Sequence, residues 1–231
     1  MSAATARELV SGWIQAGGSR VEVLPVEPQR GVDVAKHLGV SERSTLWAMS
    51  TMLGGVRVDH GWLRVLAGGH GSVDLVSWNG LGPSPLFRPR GNLFLVGLDV
   101  LGGVFALDGS GLGGARPGAV HYFAPDTLSW DPLEGFGYSD WLSWALTDGA
   151  SVHSFYESLR WSGWENACAA VSYDDAISAY PPPFTREGQD LARVSRAIVP
   201  AREAVLVAFE MARSIHGIGV PGPSAREEPS G

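Results

Sequence analysis

With 231 residues, 45% hydrophobic and 18% charged, the chain holds enough apolar material for one domain with a sizeable core. A formal charge of −7 argues against a nucleic-acid partner, and no run of about 18 apolar residues is present to span a membrane. The lone cysteine, Cys168, excludes an internal disulfide and a cysteine-based metal cage.

Taken in order, Leu9, Val10, Trp13 and Ile14 form a helical stripe over residues 3–16, closed by Gly17-Gly18-Ser19. Val21-Glu-Val-Leu predicts a short strand, stopped by Pro25 and Pro28. Helices are predicted over about 32–39, ending at Gly39, and about 44–53, capped by Ser41 or Ser44. From Val56 the period becomes strand-like. Val56-Arg-Val-Asp and Gly61-Trp-Leu-Arg-Val-Leu are separated by a tight turn at His60-Gly61. Val73 to Trp78 predicts a further strand before the Asn79-Gly80 turn, and Gly82 to Gly91 a surface loop.

The stretch from Asp99 to Leu146 organises the rest. Val104-Phe-Ala-Leu and Val120-His-Tyr-Phe predict strands joined by a long glycine-rich loop, Gly109 to Gly118; Leu128 to Trp130 returns as a third. Gly102 and Gly103 enter a strand where bulk is normally preferred, which predicts a bulge or a close backbone contact. Ser139 can cap a helix from about 140 that buries Trp141, Leu142, Trp144 and Ala145. Val152 to Leu159 repeats a helical stripe, Trp161 and Trp164 fall in a bend, and Tyr180-Pro-Pro-Pro-Phe184 is extended. A last helix over about 201–216 presents Val205, Ala208, Phe209 and Ala212. Residues 217–231, rich in Gly, Pro, Ser and Glu, predict a disordered tail after a single domain spanning 1–216.

Candidate chemistry is scattered. Gly109-x-Gly111-x-x-Gly114 matches a dinucleotide fingerprint, yet a strand follows it where the mechanism needs a helix N-terminus, so it reads as a hairpin loop. Asp59-His60 could be a base with its orienting carboxylate, although neighbours on a strand point to opposite faces. Cys168 in the run Ala167-Cys-Ala-Ala-Val reads as a small core residue rather than a nucleophile. The six histidines show no metal-ligand spacing, so no metal and no cofactor are expected. Asp108, Asp126, Asp131 and Glu134 along the hairpin read as turn carboxylates. The set Trp130, Trp141, Trp144, Trp161 and Trp164 reads as core and rim packing rather than an aromatic groove.

Val23-Leu24-Pro25, Asp59-His-Gly-Trp-Leu-Arg-Val-Leu, Leu101-Gly-Gly-Val-Phe-Ala-Leu, Tyr122-Phe-Ala-Pro-Asp-Thr-Leu-Ser-Trp and Phe155-Tyr-Glu-Ser-Leu-Arg-Trp together resemble an uncharacterised bacterial family, domain of unknown function 2625. The resemblance runs from about Leu9 to Pro200. The unit Asp99–Leu146 also looks like the core of the SUKH superfamily, with Trp141-Leu142 where that pattern has Phe-Leu. That likeness implies an α+β fold used for protein binding, often as an immunity factor against a partner toxin, and carries over no catalytic residue.

The expectation is therefore an α+β single domain, SUKH-like, with a mainly antiparallel twisted sheet of about six strands flanked by helices. Its expected role is non-enzymatic binding of a protein partner in the cytoplasm, through a surface holding Trp62, Asp108, Tyr122, Asp126, Trp130 and Glu134. Two alternatives stand beside it: a small hydrolase-like enzyme using His60 or the acidic hairpin, and a ligand sensor with an aromatic pocket.

Overall fold

Short apolar runs separated by tight turns fold into a seven-stranded antiparallel sheet in which strands that follow one another in the sheet also follow one another in sequence. The computed structural model describes residues 4–81, 88–89, 92–109, 112, 116–217 and 223–224. The strands are β1 (Val21–Leu24), β2 (Gly55–Val58), β3 (Leu63–Leu66), β5 (Leu93–Asp99), β6 (Val104–Asp108), β7 (Val120–Ala124) and β8 (Ser129–Pro132), in that order across the sheet. A short β4 (Arg88–Pro89), between β3 and β5 in sequence, pairs elsewhere, with β11 (Pro223–Ser224).

Turn chemistry sets the register. Between β2 and β3, Asp59 and His60 take φ of 49° and 57°, the paired left-handed turn whose twist suits a hairpin, and Val56 pairs with Val65. In β5 a bulge between Leu95 and Gly97 admits one extra residue. A Cβ on Gly97 would lie 2.8 Å from the Trp141 ring, so glycine there lets the covering helix settle on the sheet.

Both faces of the sheet are covered. On the first, Val56, Val58, Leu63, Val65, Phe105, Val120 and Tyr122 meet α1 (Ala6–Gly17), α3 (Thr45–Met52), α5 (Tyr138–Thr147), α6 (Gly149–Phe155) and α7 (Trp164–Ala169). On the second, Leu66, Leu95, Leu98, Val104, Ala106 and Phe123 meet α2 (Pro28–Leu38), α4 (Leu75–Trp78) and α8 (Ala201–His216). Burial on both sides explains why β7 is buried throughout instead of alternating with solvent.

The α+β reading and the antiparallel sheet stand, with corrections of detail. The sheet expected to have about six strands has seven. Val73–Trp78 is not a strand: Asp74 Oδ1 accepts from the Ser77 N–H at 2.6 Å and starts the short α4. Glu27 caps α2 at Pro28, four residues earlier than the periodicity suggests. Gly137, not Ser139, precedes α5, its N–H donating to Asp140 Oδ2 at 3.0 Å. After Trp164–Ala169 comes an unanticipated hairpin of β9 (Asp175–Tyr180) and β10 (Ser195–Pro200). Most of the glycine-rich loop's fingerprint, most of the Gly82–Gly91 loop and most of the expected tail lie outside the described residues.

Asp99 anchors the β5–β6 turn. Its Oδ1 accepts from Leu101 N–H at 2.8 Å and Gly103 N–H at 2.9 Å, and Tyr122 donates its hydroxyl to Oδ2 at 2.5 Å. Burial holds this carboxyl above the usual carboxylate range, against the lowering by these donors and by Arg64. The close contact expected at Gly103 is this one: a Cβ there would lie 1.9 Å from Asp99 Oδ2. Gly102 turns the chain at φ 88°.

Candidate functional site

The six residues expected on a binding surface divide by burial. Trp62, Tyr122 and Asp108 are buried, so they form no part of an exposed surface. Trp62 lies among Tyr156, Trp161 and Trp164 at ring distances of 5.4–5.7 Å. Tyr122 is spent on Asp99, and Asp108 accepts from the Leu112 N–H at 3.2 Å. The cause is the second covered face: alternation that would point one side to water points it under a helix instead. Asp126 and Trp130 are half-buried and Glu134 is exposed. Trp130 and Glu134 share a depression beside β7 and β8 with Arg116 and the buried His121, while Asp126 sits in the turn before β8.

Asp59 and His60 do not pair. The buried Asp59 carboxylate bridges Arg20 Nε at 2.7 Å and Arg160 Nη2 at 2.8 Å. Arg160 in turn lies 4.0 Å from the Trp164 ring centroid. His60 is exposed, edge-on to Trp164 at 5.9 Å, and its ring makes no hydrogen bond among the described residues. General-base work would require a partner within reach. Burial pushes the Cys168 thiol up to about 12, which keeps it from being the thiolate that nucleophilic chemistry needs. No group of three or more metal-ligating side chains occurs among the described residues.

An apolar cavity lies elsewhere, along one flank of α8. That helix buries Ala201, Val205, Phe209 and Ala212 at helical spacing, Phe209 stacking on Phe123 with centroids 4.0 Å apart. Its neighbouring stripe is only partly covered: Ala204 and Ala208 are half-buried at the edge of the second core, while Val207 and Met211 are exposed. With Leu101, Leu128 and Pro183 it lines a half-open cavity of about 230 Å³. Val207 is 52% and Met211 42% exposed, and Tyr180 (74%) and Ile198 (57%) are exposed on opposite faces of the β9–β10 hairpin.

The size of the cavity limits its use. It exceeds the ~150 Å³ void that accepts benzene. It falls below the ~300–1,000 Å³ of pockets that enclose a metabolite or cofactor. One large apolar side chain fits.

The adjacent strand edge is open as well. Ile177 donates its N–H to Val100 O at 2.7 Å, on the side of β9 away from β10. Ile177 and its partner Ile198 are therefore a pair whose backbone groups point away from each other, and the N–H and C=O of Ile198 face outward. No helix or loop among the described residues hydrogen-bonds them. This is an edge to which an extended segment can add.

Neither feature was among the expected site residues. The signal for the first was in the sequence, where α8 is apolar around more of its circumference than one sheet face covers. The edge strand had no comparable signal.

A sequence profile described as "Protein of unknown function DUF2625" matches residues 2–204. Over 175 residues the chain is 35% identical to the "Putative uncharacterized protein YbfG" of Escherichia coli (strain K12), spanning 75% of this chain and 77% of that one. Over 159 residues it is 29% identical to an "Uncharacterized protein" of Haemophilus influenzae, 68% of each chain being covered. No solved structure matches the chain.

Proposed function

We propose that this chain, which belongs to the DUF2625 family, is a non-enzymatic protein-binding domain of the immunity or adaptor kind. Its partner presents an extended segment with a large apolar side chain. The observation that carries this reading is the half-open apolar cavity of about 230 Å³ between α8 and the β9–β10 hairpin, edged by exposed Val207 and Met211. An anchor side chain in such a cavity contributes most of the affinity of many interfaces, while the strand edge at Ile198 supplies main-chain hydrogen bonds and orientation. The sensor alternative is disfavoured by the small volume, and the hydrolase alternative by the lack of a hydrogen-bond partner on the His60 ring among the described residues.

The test uses N-acetyl-tryptophanamide as a stand-in for the anchor, followed by NMR of the methyl groups. Saturable shifts at Val207 and Met211, abolished in Ala208→Trp, which fills the cavity, support the reading. Partners captured from the native host should be retained by the wild-type chain and lost by Ala208→Trp. If the probe leaves those methyls unmoved, and hydrolase substrates are turned over by the wild type but not by His60→Ala, the enzyme alternative replaces it.

A further inference from the structure

We propose that the pocket at the β2–β3 turn, lined by Ser19, Arg20, Glu22, Arg57, His60 and Gly61, binds a phosphate group, free or as a monoester. This site is separate from the apolar cavity, and the proposal stands independently of it.

Donors are in surplus there. Arg20 spends Nε on Asp59, and its Nη2 is buried with no hydrogen-bond partner among the described residues. Arg57 packs against Gly61, where a Cβ would come within 2.7 Å of its guanidinium; its Nη2 donates to the carbonyls of Cys168 and Val171, and its Nε is buried with no hydrogen-bond partner among the described residues. The nearby carboxylates are already engaged: Asp59 by Arg20 and Arg160, and Asp148 by the N–H and hydroxyl of Ser151 at the start of α6. Glu22 alone is exchangeable. Its carboxylate, 57% exposed, reaches Arg57 Nη1 at 3.0 Å, an ion pair of the weak surface kind that an incoming anion can displace.

The pocket measures about 280 Å³, against roughly 30 Å³ for one water, so a phosphate group fits. Its donors arrive from three segments: Ser19 and Arg20 before β1, Arg57 on β2, and His60 on the turn. That spread suits a tetrahedral group better than a planar carboxylate, and guanidinium forks are suited to phosphate oxygens. The turn itself holds two consecutive non-glycine residues in the left-handed region. The two arginines on Asp59 hold that turn, and with it the His60 backbone, in place at the pocket's edge.

The experiment titrates the full chain with inorganic phosphate, glycerol 2-phosphate, acetate and chloride at constant ionic strength, followed by calorimetry and NMR. Saturable binding of inorganic phosphate is expected, with tighter binding of glycerol 2-phosphate identifying an organic monoester as the natural source. Glu22→Gln should bind at least threefold more tightly because the competing carboxylate is gone. Arg20→Gln should bind at least tenfold more weakly. Because Arg20 also holds Asp59, Ser19→Ala serves as the variant that leaves the turn intact, with a twofold to fivefold loss. Equal responses to phosphate, acetate and chloride, or no gain in Glu22→Gln, would overturn the proposal.

Discussion

The two faces of the sheet are covered in different ways. On the first face several short helices, α1, α3, α5, α6 and α7, each follow the local twist, and aromatic side chains fill the joints between them. The Phe105 ring lies 5.3 Å from Trp141 and 6.3 Å from Trp144, and Trp144 lies 5.4 Å from Phe155. On the second face the largest cover is one helix of 16 residues, α8, about 24 Å long. Its buried stripe, Ala201, Val205, Phe209 and Ala212, takes only one side of the helix, and the flank beside that stripe is left partly uncovered. Phe209 seals the middle of α8 against Phe123; on the adjoining flank, at the same level, Val207 and Met211 stay open. The first face opens at its rim, in a depression beside Trp144 and Phe155, whereas the flank of α8 leaves a half-open apolar cavity.

The largest expected effects come from the closed face and from the sealed middle of α8. Trp141→Ala removes a fully buried ring from the centre of the first face and should cost about 3–5 kcal/mol; Leu142→Ala, equally buried, should cost about 2–5 kcal/mol. Phe209→Ala belongs in the same range as Trp141→Ala if α8 is sealed at its middle. Denaturant midpoints measure all three, and a loss under about 1 kcal/mol at Phe209 would show that the opening extends along the whole helix.

Next comes the β5–β6 turn, on which the closed face depends. Gly103→Val places branched carbon against Asp99 and Tyr122 and should destabilise by about 1–3 kcal/mol through overpacking. An unchanged melting curve would mean that the turn yields more readily than its contacts imply.

Asp99 gives this region a signature in pH. Burial raises its folded-state pKa above the unfolded value, so its contribution to stability is fully present below about pH 4 and is lost as pH rises through the raised value. Asp99→Asn keeps an acceptor for the Leu101 and Gly103 N–H groups but cannot ionise. The stability of the wild type relative to Asp99→Asn should therefore fall with rising pH, as measured by urea unfolding from pH 3.5 upward (roughly the start of carboxylate titration). A flat difference would remove burial as the governing influence on this carboxyl.

The smallest effects are expected at the open cavity. Val207→Ala and Met211→Ala should change stability by no more than about 0.5 kcal/mol, because the side chains already face water. Both should nevertheless weaken binding of the tryptophan probe several-fold. Large destabilisation there would mean that the cavity is part of the core.

Much of this architecture was determined by the sequence itself. Thr5 and Glu8 cap α1 reciprocally, Gly39 closes α2 in the left-handed region, and the apolar stripe of α8 gives residues 201–216. These are local effects, settled by neighbours three or four positions apart. The strands flanking Asp59-His60 followed from turn chemistry for the same reason. The Val73–Trp78 run was misread because its β-branched and aromatic content outweighed a capping interaction three residues long. β9 and β10 carried no strong alternation, since β10 is exposed over most of its length and gains its conformation from pairing with β9.

The candidate site was decided by tertiary structure. Whether Trp62, Asp108 and Tyr122 reach solvent depends on a second layer of helices, and period-two patterning cannot report that layer when both faces are covered. The same holds for Asp59, whose partners Arg20 and Arg160 come from sites 39 and 101 residues away. The apolar cavity exists only where α8, the hairpin after it in space and the turn before β8 come together and do not quite close. Local pattern specifies which residues are apolar; which side of α8 meets the sheet and which meets the β9–β10 hairpin determines which of them remain uncovered.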